Sequence, residues 1–168
     1  MEYATLILLH VFFGILWAGG AIAAGFFIIP AVLEAGPGGG AVMAGVVKRR
    51  FPIVMTASAL LVVLSGLRLY TVQVSSSWIA TPQGIVLSLG GVLGLGAFFI
   101  GVFVQKPTAE RLGALSAEVA AAGGPPTPAQ AAELQALRQR LGKVARLTAW
   151  HLIVASLLMA GHRLVAMM

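Results

Sequence analysis

Three histidines, His10, His151 and His162, lie within long apolar stretches of this 168-residue chain. An ionisable side chain is costly inside a bilayer and reads there as functional by default, and neutral imidazole is the commonest metal ligand among side chains. Other chemistries lack their parts. With no cysteine, the chain has no disulfide, thiolate metal site or cysteine nucleophile. It contains no aspartate, its glutamates bound the apolar runs, and neither His-Glu-x-x-His nor Gly-Lys-Ser/Thr occurs. Zinc-protease and phosphate-loop chemistry are thereby excluded.

The residues that follow His10 suggest what it could hold. Gly14, Trp17, Ala21 and Ala24 stand four, seven, eleven and fourteen positions on, so a small-residue face carrying one indole runs along the helix. Haem in helical bundles is held by inward-facing histidines, and its flat ring needs such a face. Small residues at four-residue spacing are equally how membrane helices pack closely, and Gly90 with Gly94 repeats the pattern. Arg68 and Tyr70 add two polar groups. Arg68 either pairs with a haem propionate through its planar fork or snorkels as an interfacial anchor. For copper, soft ligands are needed, and Met55 and Met159 are the intramembrane candidates beside the histidines.

These residues must be positioned by membrane-spanning helices. The chain is 59% hydrophobic and 10% charged, with a mean hydropathy of +0.97, whereas soluble domains carry about 25% charged residues. A spanning helix needs roughly 20 apolar residues, and four stretches qualify, at about 3–33, 51–71, 84–104 and 147–167. The first begins after Glu2 without the basic residues of a secretory signal, and reads as a retained helix. The glycine-rich stretch 34–47 reads as a loop, and QVSSSWIATPQ at 73–83 as a short interfacial one. The predicted fold is an all-α, four-helix transmembrane bundle forming a single domain over 1–168.

Lysine and arginine are retained on the cytoplasmic side. Lys48, Arg49, Arg50, Lys106, Arg111, Arg138, Arg140, Lys143 and Arg146 lie in the loops at 34–51 and 105–146, against Arg68 and Arg163 at the opposite ends. Both termini are therefore expected outside a plasma (inner) membrane. Between the third and fourth spans, Leu112, Leu115 and Val119 precede the break GGPPTP, and Leu134, Leu137, Leu141 and Val144 follow it. Thr127-Pro128-Ala129-Gln130 has the form of a helix start with a capping box. Segment 105–146 is thus expected to form a cytoplasmic helical hairpin whose two arms pack together. Basic residues placed between apolar runs fit a membrane and not a nucleic-acid surface. The expected partners are the lipid bilayer, with a membrane redox protein or a second copy of the chain.

The topology sets the depth of each histidine. His10 lies roughly 12 Å along the helix from Glu2. His151 and His162 are eleven residues apart, which places them on one helical face roughly 16 Å apart. His162 shares the outer half with His10, whereas His151 belongs to the cytoplasmic half.

The stretch Leu9-His10, Trp17, Gly19-Gly20 and Phe26-Phe27-Ile28-Ile29-Pro30-Ala31 resembles the first helix of small four-helix bacterial membrane proteins related to the copper-resistance protein D family. The seven-residue spacing from His10 to Trp17 is similar to that in the HemJ type of membrane protoporphyrinogen oxidase. Ser65-Gly66-Leu67-Arg68-Leu69-Tyr70 and Met159-Ala160-Gly161-His162-Arg163 resemble the second and fourth helices of the first group. Gly84 to Val104 has no lysine, where the oxidase type has one in its third helix. The resemblance implies haem b on the first-helix histidine, or copper handling. Three readings remain: a haem b protein of electron transfer or redox chemistry with His10 and His162 as ligands, a copper-handling protein as the resemblance suggests, and a structural or accessory subunit.

Overall fold

The computed structural model describes residues 1–73 and 75–167. Every regular element among them is helical. In chain order these are α1 (Glu2–Glu34), α2 (Gly39–Lys48), α3 (Phe51–Gln73), the single turn α4 (Ser76–Ile79), α5 (Pro82–Ala121) and α6 (Pro128–Gly161). Helices α1, α3, α5 and α6 are each long and apolar enough to cross a membrane.

Close contacts give the register. Arg68 of α3 reaches Glu2 of α1, His10 reaches Val62, and Gly20 backs onto Met55, so α1 and α3 run antiparallel. Gly90 of α5 meets Ala155 and Met159 of α6, while Gln105 meets Thr148, so that pair is antiparallel as well. One residue from each long helix forms the central layer: Trp17, Ala59, Ala97 and Leu152, all buried. A second layer joins Ala24 and Ile29 to Leu141 and Ala145, with Leu33, Met43, Phe51 and Leu112 against it. Leu112 and Leu141 therefore share their apolar stripe with the end of α1 and with α2, beyond the packing of the two arms of 105–146 on each other that the sequence most simply predicts.

Three further expectations change. The stretch 34–47, expected as a loop, contains α2. Gly39 lies so close to the Val32 carbonyl that a Cβ there would overlap it, and this approach by glycine seats the helix on α1. The 73–83 loop contains α4, capped by Ser75 Oγ, which accepts from the Trp78 N–H at 3.3 Å. The fourth span does not remain α-helical to 167: α6 ends at Gly161, His162 is its cap, and 3-10 helix follows at Leu164–Met167. The helix start at Thr127 has its capping box, with Thr127 Oγ1 accepting from the Gln130 N–H and Gln130 Oε1 accepting from the Thr127 N–H.

Helices α1 and α5 each contain one π-turn, at Ala24–Ile28 and Gly101–Gln105. Each includes the residue four positions before a proline, Phe26 before Pro30 and Phe103 before Pro107. A proline ring clashes with that carbonyl and offers no N–H to it, and widening one turn to i→i−5 bonding relieves the conflict. Both π-turns meet α6 within one of its turns. A Cβ on Gly25 would stand 2.8 Å from the Ala145 carbonyl oxygen, and Thr148 Oγ1 donates to Gln105 Oε1 at 3.3 Å. On the α5–α6 extension, Arg111 grips both Glu133 carboxylate oxygens, at 2.8 and 3.1 Å. That hydrogen bond, with the attraction of the same carboxylate, raises the Arg111 pKa above its ordinary value.

Candidate functional site: the histidines and their partners

His10 is half-buried and faces α3. Its Nδ1 lies 3.0 Å from the Val62 carbonyl oxygen and 3.2 Å from Ser65 Oγ. A carbonyl only accepts, so Nδ1 carries the proton. Ser65, itself buried, donates its own hydroxyl hydrogen to the Leu61 carbonyl, which leaves its oxygen free to accept from His10. The ring lies against Gly66, where a Cβ would stand 2.8 Å from Cε1. Glycine at this position is what admits the imidazole between the helices. Nε2 is then the unprotonated nitrogen, and it has no hydrogen-bond partner among the described residues.

The other two histidines bond to their own helix. His151 Nδ1 lies 2.9 Å from the Leu147 carbonyl, with its ring edge toward Gly96 of α5. His162 Nδ1 lies 2.6 Å from the Met159 carbonyl. In each, the carbonyl accepts from Nδ1–H, so Nε2 is the acceptor nitrogen of the neutral ring. The contacts of His10 are with α3 and those of His162 with its own turn, so no described contact joins the pair expected to share a ligand. Among the described residues no three histidine or glutamate side chains cluster closely enough to hold a metal ion.

The remaining candidates divide between helix contacts and open surface. Trp17 is in the central layer, its indole packed among Ala59, Ala97 and Leu152. Gly14 differs, because nothing lies within 4 Å of where its Cβ would be. Arg68 donates from Nε and Nη2 to one Glu2 oxygen, at 3.0 and 2.7 Å. Its guanidinium thus has a carboxylate partner in the chain. Ser88 Oγ donates to the Gly84 carbonyl at 2.7 Å, so the Tyr70 hydroxyl donates to Ser88 Oγ at 2.7 Å and ties α3 to α5. Met55 packs on Gly20 and Met159 on Gly90. The two thioethers serve different helix pairs and form no common soft site.

Sequence reasoning missed Val62, Ser65 and Gly66 as the setting of His10, and Glu2 as the partner of Arg68. Ser65-Gly66 is a small pair, the composition at which membrane helices approach closely. Pairing the first two spans as antiparallel neighbours from Glu2 and Arg68 inward would have placed it beside His10. No family model, curated protein or solved structure matches the chain.

Proposed function

We propose that this chain is a haem b-binding membrane protein of electron transfer or redox chemistry, with His10 as the iron ligand. The observation that carries the reading is the hydrogen bond from His10 Nδ1 to the Val62 carbonyl. Metal-ligating histidines almost always donate their other ring N–H to a carbonyl or carboxylate, which fixes the tautomer and leaves the second nitrogen for the metal. Two further observations support the reading: Nε2 has no hydrogen-bond partner among the described residues, and Gly14, one turn along α1, has open space at its Cβ position. Because Trp17 closes the centre of the bundle, the residues that would hold haem lie between that layer and the Glu2 end. His162 is the second residue that would hold the haem. Bound haem would supply a one-electron couple.

In this reading the four helices form a bundle in a plasma (inner) membrane with both termini outside, and the α5–α6 extension is a cytoplasmic hairpin. The nine-to-two distribution of lysine and arginine supports that orientation.

An optical spectrum of the full-length protein, purified with haem supplied, tests the proposal. The reduced protein is expected to show a sharp b-type α-band. His10→Ala abolishes it, His162→Ala abolishes it or leaves a five-coordinate species, and His151→Ala retains it. A colourless wild-type protein overturns the proposal. Copper handling would give stoichiometric metal without a porphyrin band, sensitive to Met159 and His162.

A structural or accessory role is the second reading, and close helix contacts favour it. Gly20 with Met55, Gly25 with Ala145, Gly90 with Met159 and Tyr70 with Ser88 use small and polar residues for packing alone. It predicts a colourless wild type in which His10→Ala lowers stability and nothing else.

A further inference from the structure

The end of the bundle opposite Glu2 combines two features that neither a soluble domain nor a hydrocarbon-embedded helix needs together. The first is exposed apolar surface beyond the length of a span. From Glu2, paired with Arg68, to Gly25, seated on Ala145, α1 covers about 34 Å at 1.5 Å per residue, against a hydrocarbon core about 30 Å thick. Yet Phe27, and Val42 three residues after the Gly39 that seats on Val32, lie beyond that level and are more than half exposed, as is Val47 nearer to it.

The second feature is unpaired positive charge at the same level. Gly20 against Met55 and Phe51, and Gly25 against Ala145, bring Arg50 and Arg146 to neighbouring depths. Lys48, Arg49, Arg50, Arg140, Lys143 and Arg146 are all exposed, and none has an acidic partner among the described residues. Of the five glutamates, Glu2, Glu110, Glu118 and Glu133 are engaged elsewhere, by Arg68, Lys106 and Arg111, and Glu34, exposed at this end and in no ion pair among the described residues, offsets one of the six cations. Arg50 also holds φ at 59°, a left-handed conformation that costs a non-glycine residue roughly 1–2 kcal/mol. A cation stands where glycine would relieve the backbone.

We infer that this end is a collar that binds the headgroups of an anionic phospholipid leaflet. The exposed valines and Phe27 enter the headgroup and upper acyl region while the six cations engage lipid phosphates. Helix α2 is apolar up to Lys48 and is followed directly by Arg49 and Arg50, so apolar surface and a run of three cations adjoin in that layer. A neutral leaflet would satisfy the apolar groups and leave the cations without counter-charge. The collar is independent of any cofactor, so it stands or falls apart from the haem reading.

The test compares the thermal midpoint of the full-length protein in nanodiscs of phosphatidylcholine with that in phosphatidylcholine mixed with phosphatidylglycerol, at fixed ionic strength. The midpoint is expected to rise in the anionic disc. Arg140→Gln with Lys143→Gln, two exposed positions without polar partners among the described residues, loses most of that rise, while Arg140→Lys with Lys143→Arg keeps it. Phosphatidylglycerol retained by the detergent-purified protein in native mass spectrometry falls roughly fivefold for each cation removed, the factor matching about 1 kcal/mol per basic residue at an anionic surface. Equal midpoints in the two discs overturn the inference. So does an equal rise when inorganic phosphate is added to the neutral disc, because free anion would then suffice.

Discussion

His10 of α1 donates its Nδ1–H to the Val62 carbonyl of α3, 3.0 Å away, across 52 positions of sequence. This bond fixes three things at once: the register of the two helices, the tautomer of the imidazole, and the availability of Nε2. It also gives His10 a structural task whatever the site binds. Loss of colour in His10→Ala therefore needs a companion variant that leaves the ring in place.

Ser65→Ala is that variant. Its hydroxyl accepts from the same Nδ1 at 3.2 Å, while the Val62 carbonyl remains. Removing an outer hydrogen-bond partner of a ligand typically weakens metal binding about 10–100-fold. Haem titration of the apoprotein should show a weakening of that order with the b-type spectrum retained at saturation. Unchanged affinity would disconnect Ser65 from the ligand.

Two glycines on α1 should respond in opposite ways to the same methyl group. Gly25→Ala places a Cβ 2.8 Å from the Ala145 carbonyl oxygen, a backbone atom that cannot rotate away, and should cost about 1–3 kcal/mol. Gly14→Ala meets nothing within 4 Å and should change stability by no more than about 0.5 kcal/mol. Thermal unfolding in one detergent measures both. If haem lies against Gly14, the second variant lowers haem affinity without lowering the stability of the apoprotein.

Glu2→Gln removes the carboxylate held by Arg68 at 2.7 Å. Both side chains are more than half exposed, so solvent screens the pair and the loss should stay within about 1 kcal/mol. The midpoint should therefore move little, and any movement should shrink in high salt. A loss well beyond that range would show that the pair sets the α1–α3 register.

The orientation has its own test. A cysteine introduced at Ala122, just past the end of α5, should be shielded from an impermeant thiol reagent in intact cells. One at Ser77, in α4, should react. The reverse pattern would invert the bundle and transfer the basic collar to the outer leaflet.

The sequence by itself determined the four long apolar helices, because about 20 apolar residues in succession make a helix long enough to cross a bilayer. It also determined the start of α6, since Thr127, Pro128 and Gln130 satisfy the free N–H groups of a helix end from within four residues. These signals are local, and each can be read without knowing the neighbours. The tertiary structure decided whatever depends on register. Val62, Ser65 and Gly66 become the setting of His10, and Glu2 the partner of Arg68, only when α1 and α3 pack antiparallel at one alignment. Helix α2 is similar: its glycines argue for a loop, and the contacts of Gly39 with Val32 and of Met43 with the Ala24–Ile29 layer override them. Trp17 is the plainest case. Seven residues from His10 it fits equally a ring-binding face and a packing face, and only Ala59, Ala97 and Leu152, one from each of three other helices, assign it to the core. Alignment between helices is set by a few close approaches of small residues to distant backbone, and composition does not encode which approaches those are.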